Sequence, residues 1–161
     1  MTLDNKPIYT GGCQCGAVRF RIEGTLSNPH ICHCRMCQKA FGGFFAPLVS
    51  AKLGDLRWTR AEPKRFQSSN RILRGFCPDC GTPLTYEAPH GIALAIGAFD
   101  DPSAIAPASQ CGAEGTLPYF DRLHDLPATT TDEDARQHPE LLDMVSFQHP
   151  DHETETDEPT R

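Results

Sequence analysis

The sequence predicts a mainly β domain of small antiparallel sheets tied together by cysteine clusters, with an irregular or short-helical acidic tail. Three observations carry this expectation. Apolar and polar residues alternate along Ala17-Val18-Arg19-Phe20-Arg21-Ile22-Glu23, the period of a half-buried strand. Fourteen prolines and thirteen glycines break the 161 residues into short segments, the mark of a turn-rich chain rather than a helical one. Seven of the eight cysteines fall in close groups, Cys13/Cys15, Cys32/Cys34/Cys37 and Cys77/Cys80. Thiols one or two residues apart suit a shared metal better than mutual bridging, and a disulfide framework belongs to small secreted chains.

The length suits one domain with a real core, expected over residues 1–127, followed by an acidic tail over 128–161. From Asp132 onward ten acidic residues face two arginines, a net of -8, so the remainder of the chain is mildly basic at +2. That balance lacks the strong basic footprint of a nucleic-acid binder. No stretch approaches the ~20 consecutive apolar residues of a membrane-spanning helix. The start, Met1-Thr2-Leu3-Asp4-Asn5-Lys6, has no basic segment leading into an apolar run, so a cytoplasmic protein is the expectation.

Taken in order, residues 1–7 read as a loose leader, and Gly11-Gly12-Cys13-Gln14-Cys15-Gly16 as a tight turn that aims two sulfurs one way. In the strand that follows, Val18, Phe20 and Ile22 are expected to face the core, and Arg19, Arg21 and Glu23 solvent. Ser27-Asn28-Pro29 makes a turn, and His30-Ile31-Cys32-His33 ends a second short strand. Residues 35–41 suit one or two helical turns stopped by Gly42-Gly43. Residues 44–49 read as a strand start that Pro47 confines to an edge or a bend. Short strands are expected over 56–59, 65–68, 71–76 and 84–87, and a central one over the almost wholly apolar 92–99. Residues 107–127 are rich in turns and hold Tyr119 and Phe120, which can cover one edge of the core. Thr129-Thr130-Thr131 can cap a short helix whose length Pro139 limits, with Asp132, Glu133 and Asp134 at its positive end. Residues 149–161 are polar, acidic and free of aromatics, the composition of a disordered segment.

Seven grouped thiols exceed one mononuclear zinc, and the economical partition is four plus three. Cys13/Cys15 with Cys77/Cys80 makes a closed four-thiolate structural site. A redox role for Cys77/Cys80 would want a βαβ pattern that is missing here. Cys32, Cys34 and Cys37 are one ligand short of a tetrahedron. His30, His33 or Cys111 could complete a second structural zinc, or the fourth position could be left to water or a substrate thiol, as in catalytic zinc sites. Spacing leaves both readings open. A lone cysteine such as Cys111 is more often a buried small hydrophobe than a ligand, and His90, His124 and His138 read as surface residues. Next to an open site, Gly42-Gly43 would let backbone approach a peptide-like substrate, and Arg35 and Lys39 could attract its carboxylates.

The order Gly12-Cys13-Gln14-Cys15-Gly16, Cys32-His33-Cys34-Arg35-Met36-Cys37 and Gly75-Phe76-Cys77-Pro78-Asp79-Cys80-Gly81-Thr82-Pro83-Leu84 resembles the glutathione-dependent formaldehyde-activating enzyme family, which also includes relatives of centromere protein V. The resemblance spans about residues 9–127. It implies a β-tent fold, a structural zinc on Cys13, Cys15, Cys77 and Cys80, and a catalytic-type zinc on Cys32, Cys34 and Cys37. It also implies carbon–sulfur lyase chemistry, in which glutathione joins formaldehyde or the adduct is cleaved. Gln110-Cys111 and Pro118-Tyr119 stand where the family pattern usually carries a histidine before an aliphatic residue and a Pro-Trp pair. That departure bears on the substrate rather than the fold. The expected function is thus a zinc-dependent carbon–sulfur lyase-like enzyme with two zinc ions, acting on glutathione or other thiol adducts of small aldehydes. The alternative is a non-catalytic, zinc-stabilised binding module. Neither nucleic acid nor membrane is expected as a partner.

Overall fold

The computed structural model describes residues 6–155. In chain order the strands are β1 (Ile8–Gly12), β2 (Arg19–Glu23), β3 (Ser27–Cys32), β4 (Ala46–Ala51), β5 (Leu56–Trp58), β6 (Lys64–Gln67), β7 (Leu73–Phe76), β8 (Pro83–Ala88), β9 (Gly91–Ala95) and β10 (Ser109–Cys111). Helix α1 (Arg35–Phe41) separates β3 from β4, and α2 (Thr131–Gln137) lies in the tail. The strands form a three-stranded sheet in the order β1-β2-β5 and a seven-stranded sheet in the order β10-β3-β4-β9-β8-β7-β6. The domain is mainly β, as expected. Its pairings are antiparallel except that of β10 with β3, which run parallel. Sequence reading missed both β1 and β10, because each is short and lies among glycines or turn residues.

Alternation in β2 is realised on one face. Val18, Phe20 and Ile22 are fully buried, and Phe20 meets Trp58 and Phe99 edge-on with ring centroids 6.1 and 5.1 Å apart. Leu84 and Leu94 bring the larger sheet to the same core, and Cys13 and Cys77 belong to it. A second, smaller cluster gathers Cys37 with Ala46, Leu48 and Ala93. Each cysteine set therefore contributes buried sulfurs to its own apolar cluster. Strand β9 is central, between β4 and β8, but it ends at Ala95, where a short 3-10 turn begins. That turn brings Phe99 to a bridge with Gly11, which links the two sheets. Pro47 is not on an edge strand, because β4 lies between β3 and β9. Pairing with β9 starts only at Leu48, so the missing proline N–H falls where β4 has a single neighbour.

The other face of β2 departs from expectation. Arg19 is 5% exposed, because Asp100 and the tail cover it. Its guanidinium grips Asp100 with two hydrogen bonds, Nη1 to Oδ1 at 2.8 Å and Nη2 to Oδ2 at 2.6 Å. Thr10 Oγ1 also donates to Asp100 Oδ2 at 2.6 Å. Burial alone would raise the Asp100 pKa, yet the hydrogen bonds from Arg19 and Thr10 hold it below the usual carboxylate range. A folded-state pKa below the unfolded value gives stability that is present above the unfolded pKa of ~3.9 and lost as pH falls through the folded one. Asp100→Asn is expected to cost about 3 kcal/mol at pH 7, the scale of breaking a buried pair. Its deficit relative to wild type should shrink only once the pH drops below the unfolded pKa of ~3.9, a comparison that urea unfolding of both proteins at pH 7 and pH 2.5 makes directly.

In the tail, Thr130 and Glu133 form the expected capping box at the start of α2, and the helix stops two residues before Pro139. Residues 149–155 do not behave as the disordered segment expected from composition. His149 N–H donates to Gln14 O at 2.7 Å, Arg21 pairs with Glu153 at 2.7 Å, and Arg60 donates to Thr154 Oγ1 at 2.6 Å. Acidic composition alone hid this, since the arginines that hold the segment come from β2 and the β5–β6 connection. The rest of the expected disorder, over 156–161, and most of the loose leader lie outside the described residues.

Candidate metal centre

Two turns built alike carry the first cysteine set. Gly16 N–H closes onto Cys13 O at 3.0 Å, and Gly81 N–H onto Cys77 O at 3.0 Å. Gly16 and Gly81 have φ of 77° and 79°, a left-handed conformation that side chains resist. Each turn thus curls a pair of sulfurs toward a common point. The sulfurs of Cys13, Cys15, Cys77 and Cys80 all lie within 4.8 Å of one another. Cys13 and Cys15 are 3.5 Å apart, and Cys15 and Cys77 are 3.8 Å apart. A zinc tetrahedron with ~2.3 Å metal–sulfur arms has edges of about 3.8 Å, so the spacing fits that ion.

Electrostatics point the same way. Burial pushes the Cys13 thiol far above its ordinary value and raises Cys15. Burial also acts on Cys80, but the hydroxyl and N–H of Thr82 and the N–H of Cys15 bring it down to about 6. Val18 N–H donates to Cys13 Sγ at 3.2 Å, and Thr82 Oγ1 lies 3.1 Å from Cys80 Sγ. Donors already aimed at sulfur favour thiolates, and buried thiolates want a cation among them.

The second set comes from a strand end and a helix start. Cys32 closes β3, Cys34 is the N-cap residue of α1, and Cys37 lies in its first turn. The three sulfurs are within 4.8 Å of one another, and among the described residues no fourth histidine, cysteine or carboxylate joins them. Burial pushes Cys32 up to about 12 and raises Cys37, although the Arg74 guanidinium opposes the second shift. For Cys34 burial is outweighed by the backbone N–H groups of Cys37 and Met36, which lower its pKa without closing a formal capping bond. Two half-buried sulfurs and one buried sulfur in this spacing could also hold zinc.

None of the expected completing ligands reaches the set. His33 is fully buried, and its Nε2 lies 2.8 Å from Gln110 Oε1. An amide oxygen only accepts, so Nε2 carries the proton. Phe120 packs edge-on against the ring at 4.7 Å, and Phe45 lies at 6.0 Å. Phe120 thus covers this corner, and His33, engaged with Gln110, does not join the sulfur set. His30 is engaged with Asn28 O at 2.8 Å. Cys111 aligns with Cys32 across the parallel β10–β3 pair but is exposed rather than buried, because β10 is an edge strand.

The second set opens into a cavity of about 770 Å³. Leu48, Ile72 and Ile92 give it apolar walls, Lys52, Arg74, His30 and His90 give it positive or basic ones, and no aspartate or glutamate lines it among the described residues. Arg35, Lys39, Gly42 and Gly43 lie outside this lining. Arg35 instead donates to Gln38 Oε1 at 3.3 Å. Among the cationic side chains that do line the cavity, Arg74 on β7 stands against the cysteines, its Nη2 donating to Cys37 Sγ at 3.4 Å. No local signal marked Arg74, since it sits in an ordinary strand pattern 37 residues from its partner. His124 and His138 are exposed, as expected.

All eight cysteines are free thiols, and among the described residues no helix is long and apolar enough to cross a membrane. A family model described as glutathione-dependent formaldehyde-activating enzyme matches residues 8–113. Among solved structures, a Rhodobacter sphaeroides protein is similar at 21% identity with a TM-score of 0.49, the match covering 63% of this chain and 98% of that one.

Proposed function

The chain belongs to the glutathione-dependent formaldehyde-activating enzyme family, and from that premise we propose that it is a zinc-dependent carbon–sulfur lyase-type enzyme. Its substrates in this reading are thiol adducts of small aldehydes, the glutathione–formaldehyde adduct first among them. One observation carries the reading: three convergent thiols face a cavity, and among the described residues no fourth side-chain ligand joins them. Cys13, Cys15, Cys77 and Cys80 would hold a structural zinc, and Cys32, Cys34 and Cys37 a reactive one. A zinc ion held by three thiolates supplies Lewis acidity and an affinity for soft sulfur, which favours the deprotonated form of a substrate thiol.

The rest of the chemistry belongs to this chain's own groups. The N–H groups at the start of α1 stabilise the Cys34 sulfur as an anion. Lys52 and Arg74 give the cavity positive walls with no carboxylate to oppose them, which suits a substrate carrying carboxylates. Leu48, Ile72 and Ile92 give part of the cavity an apolar lining, so the buried Arg74 charge acts at lower effective dielectric than a charge in open water. A reducing, cytoplasmic setting agrees with eight free thiols, since such compartments keep cysteines available to metals.

The test is the rate of adduct formation between glutathione and formaldehyde, followed by exchange NMR with the metal-loaded and metal-stripped protein. The loaded protein should carry two zinc ions per chain and accelerate exchange, and selective removal of the more accessible ion should abolish the gain. Glutathione binding without any rate gain is the result expected of a zinc-stabilised binding module, and it would end the enzymatic reading.

A further inference from the structure

The cavity wall contains a cation whose hydrogen bonds are incomplete. Arg74 is only 7% exposed. Its Nε donates to Ser68 Oγ at 3.0 Å and its Nη2 to Cys37 Sγ at 3.4 Å. The guanidinium carbon lies 5.2 Å from the centre of the Tyr86 ring, a stacking partner that fixes its plane. Nη1 is buried and has no acceptor among the described residues. No described carboxylate pairs with Arg74, and none lines the cavity. A guanidinium offers five N–H donors and no acceptor, so Ser68 and Cys37 leave capacity over. Buried donors are nearly always satisfied, and one that is not calls for an explanation.

A substrate oxygen provides one. We infer that Arg74 is a catalytic residue of the proposed reaction, donating from its guanidinium to the aldehyde oxygen as the carbon–sulfur bond forms. This inference rests on the reaction proposed above. In that reaction the substrate thiol gives its proton to water, and the sulfur electron pair forms the new bond to the aldehyde carbon. The carbonyl π pair moves onto oxygen, and the resulting alkoxide takes a proton from water. Arg74 keeps its own protons throughout, as guanidinium does in proteins. Cleavage of the adduct runs the same changes backwards.

Position singles out Arg74 over Lys52. The reacting oxygen is one carbon from the substrate sulfur, so its donor must stand beside the cysteine sulfurs. Arg74 contacts one of them, whereas Lys52 is exposed at the rim, where water screens it. A donor preorganised where negative charge develops typically contributes about 10²- to 10³-fold in rate. The competing role for Arg74 is purely structural: it would neutralise Cys37 and pack on Tyr86.

Thioacetate and ethanethiol separate the two roles, because thioacetate carries an oxygen one carbon from its sulfur and ethanethiol does not. Both are titrated into wild type, Arg74→Gln and Arg74→Lys by calorimetry, with zinc content measured in each. Catalytic donation predicts that Arg74→Gln weakens thioacetate at least ~10-fold and leaves ethanethiol and zinc content near wild type. For glutathione and formaldehyde, kcat should fall on the order of 10²-fold with KM for glutathione little changed, and Arg74→Lys should recover part of the loss. If Arg74→Gln does not fold, Arg74→Lys carries the test through the same selective loss of thioacetate. Equal weakening of both probes, no change in either, or loss of the second zinc in Arg74→Lys overturns the inference while leaving the proposed reaction standing. A wild-type protein that does not accelerate adduct formation overturns both.

Discussion

Cys77→Ser is expected to yield a chain that does not fold at 25 °C. Cys77 is fully buried in the main core, and its sulfur lies 3.8 Å from that of Cys15, 62 residues earlier in the chain. The four-sulfur set therefore joins the β1–β2 turn to the β7–β8 turn. Structural zinc contributes roughly 10–16 kcal/mol in small zinc domains at neutral pH. Total stability of a domain is about 5–15 kcal/mol. Losing a large part of the first quantity consumes the second. A serine hydroxyl would also be left buried in an apolar core position, beside three sulfurs that could hold a soft cation. Trp58, the single tryptophan, packs edge-on against Phe20 and reports on this core. Its fluorescence should shift to that of an exposed indole in Cys77→Ser, and near-ultraviolet dichroism should vanish. Native fluorescence and an unchanged urea midpoint in that variant would show that the fold stands without its first metal.

Cys34→Ser is expected to do the opposite: spare the fold and end the chemistry. Cys34 is half-buried and belongs to the smaller apolar cluster only as a partly covered neighbour. The core built on Phe20, Leu84 and Leu94 does not contain it. Zinc content should drop from two to one per chain, and the unfolding midpoint should move little. Metal assistance to a reaction of this kind is worth several kcal/mol. A loss of about 4 kcal/mol corresponds to a fall on the order of 10³-fold in adduct formation. Retention of both zinc ions with unchanged turnover would remove Cys32, Cys34 and Cys37 from the reaction. Together the two variants separate a metal that holds the fold from one that serves it.

Much of the candidate site is legible in the sequence. Cys13-x-Cys15-Gly16 and Cys77-x-x-Cys80-Gly81 are local statements, because two residues of tight turn bring a pair of sulfurs together wherever the turn lies. The four-plus-three division needed only a count of thiols against tetrahedral zinc. Strand β2 was legible because Val18, Phe20 and Ile22 repeat at a period that one buried face requires. Arg19 was misread for a reason of the same kind. Alternation states which residues share a face, but it cannot state that Asp100 and residues 149–155 cover the second face.

What the sequence determined by itself was donor chemistry: which residues could serve as soft ligands, which turns present them, and that the fold is mainly β. Tertiary structure alone decided access and charge. Register along β7, with Ser68 and Tyr86 beside it, carries Arg74 to Cys37. The parallel β10–β3 pair seats Gln110 on His33, which stays outside the sulfur set. Packing of β3, β4, β8 and β9 leaves a cavity against the three-cysteine set, with no aspartate or glutamate among its described lining residues. The physical reason is range. Ligand pairs are set by a few covalent bonds, whereas desolvation and open space depend on atoms dozens of residues apart that only folding brings together.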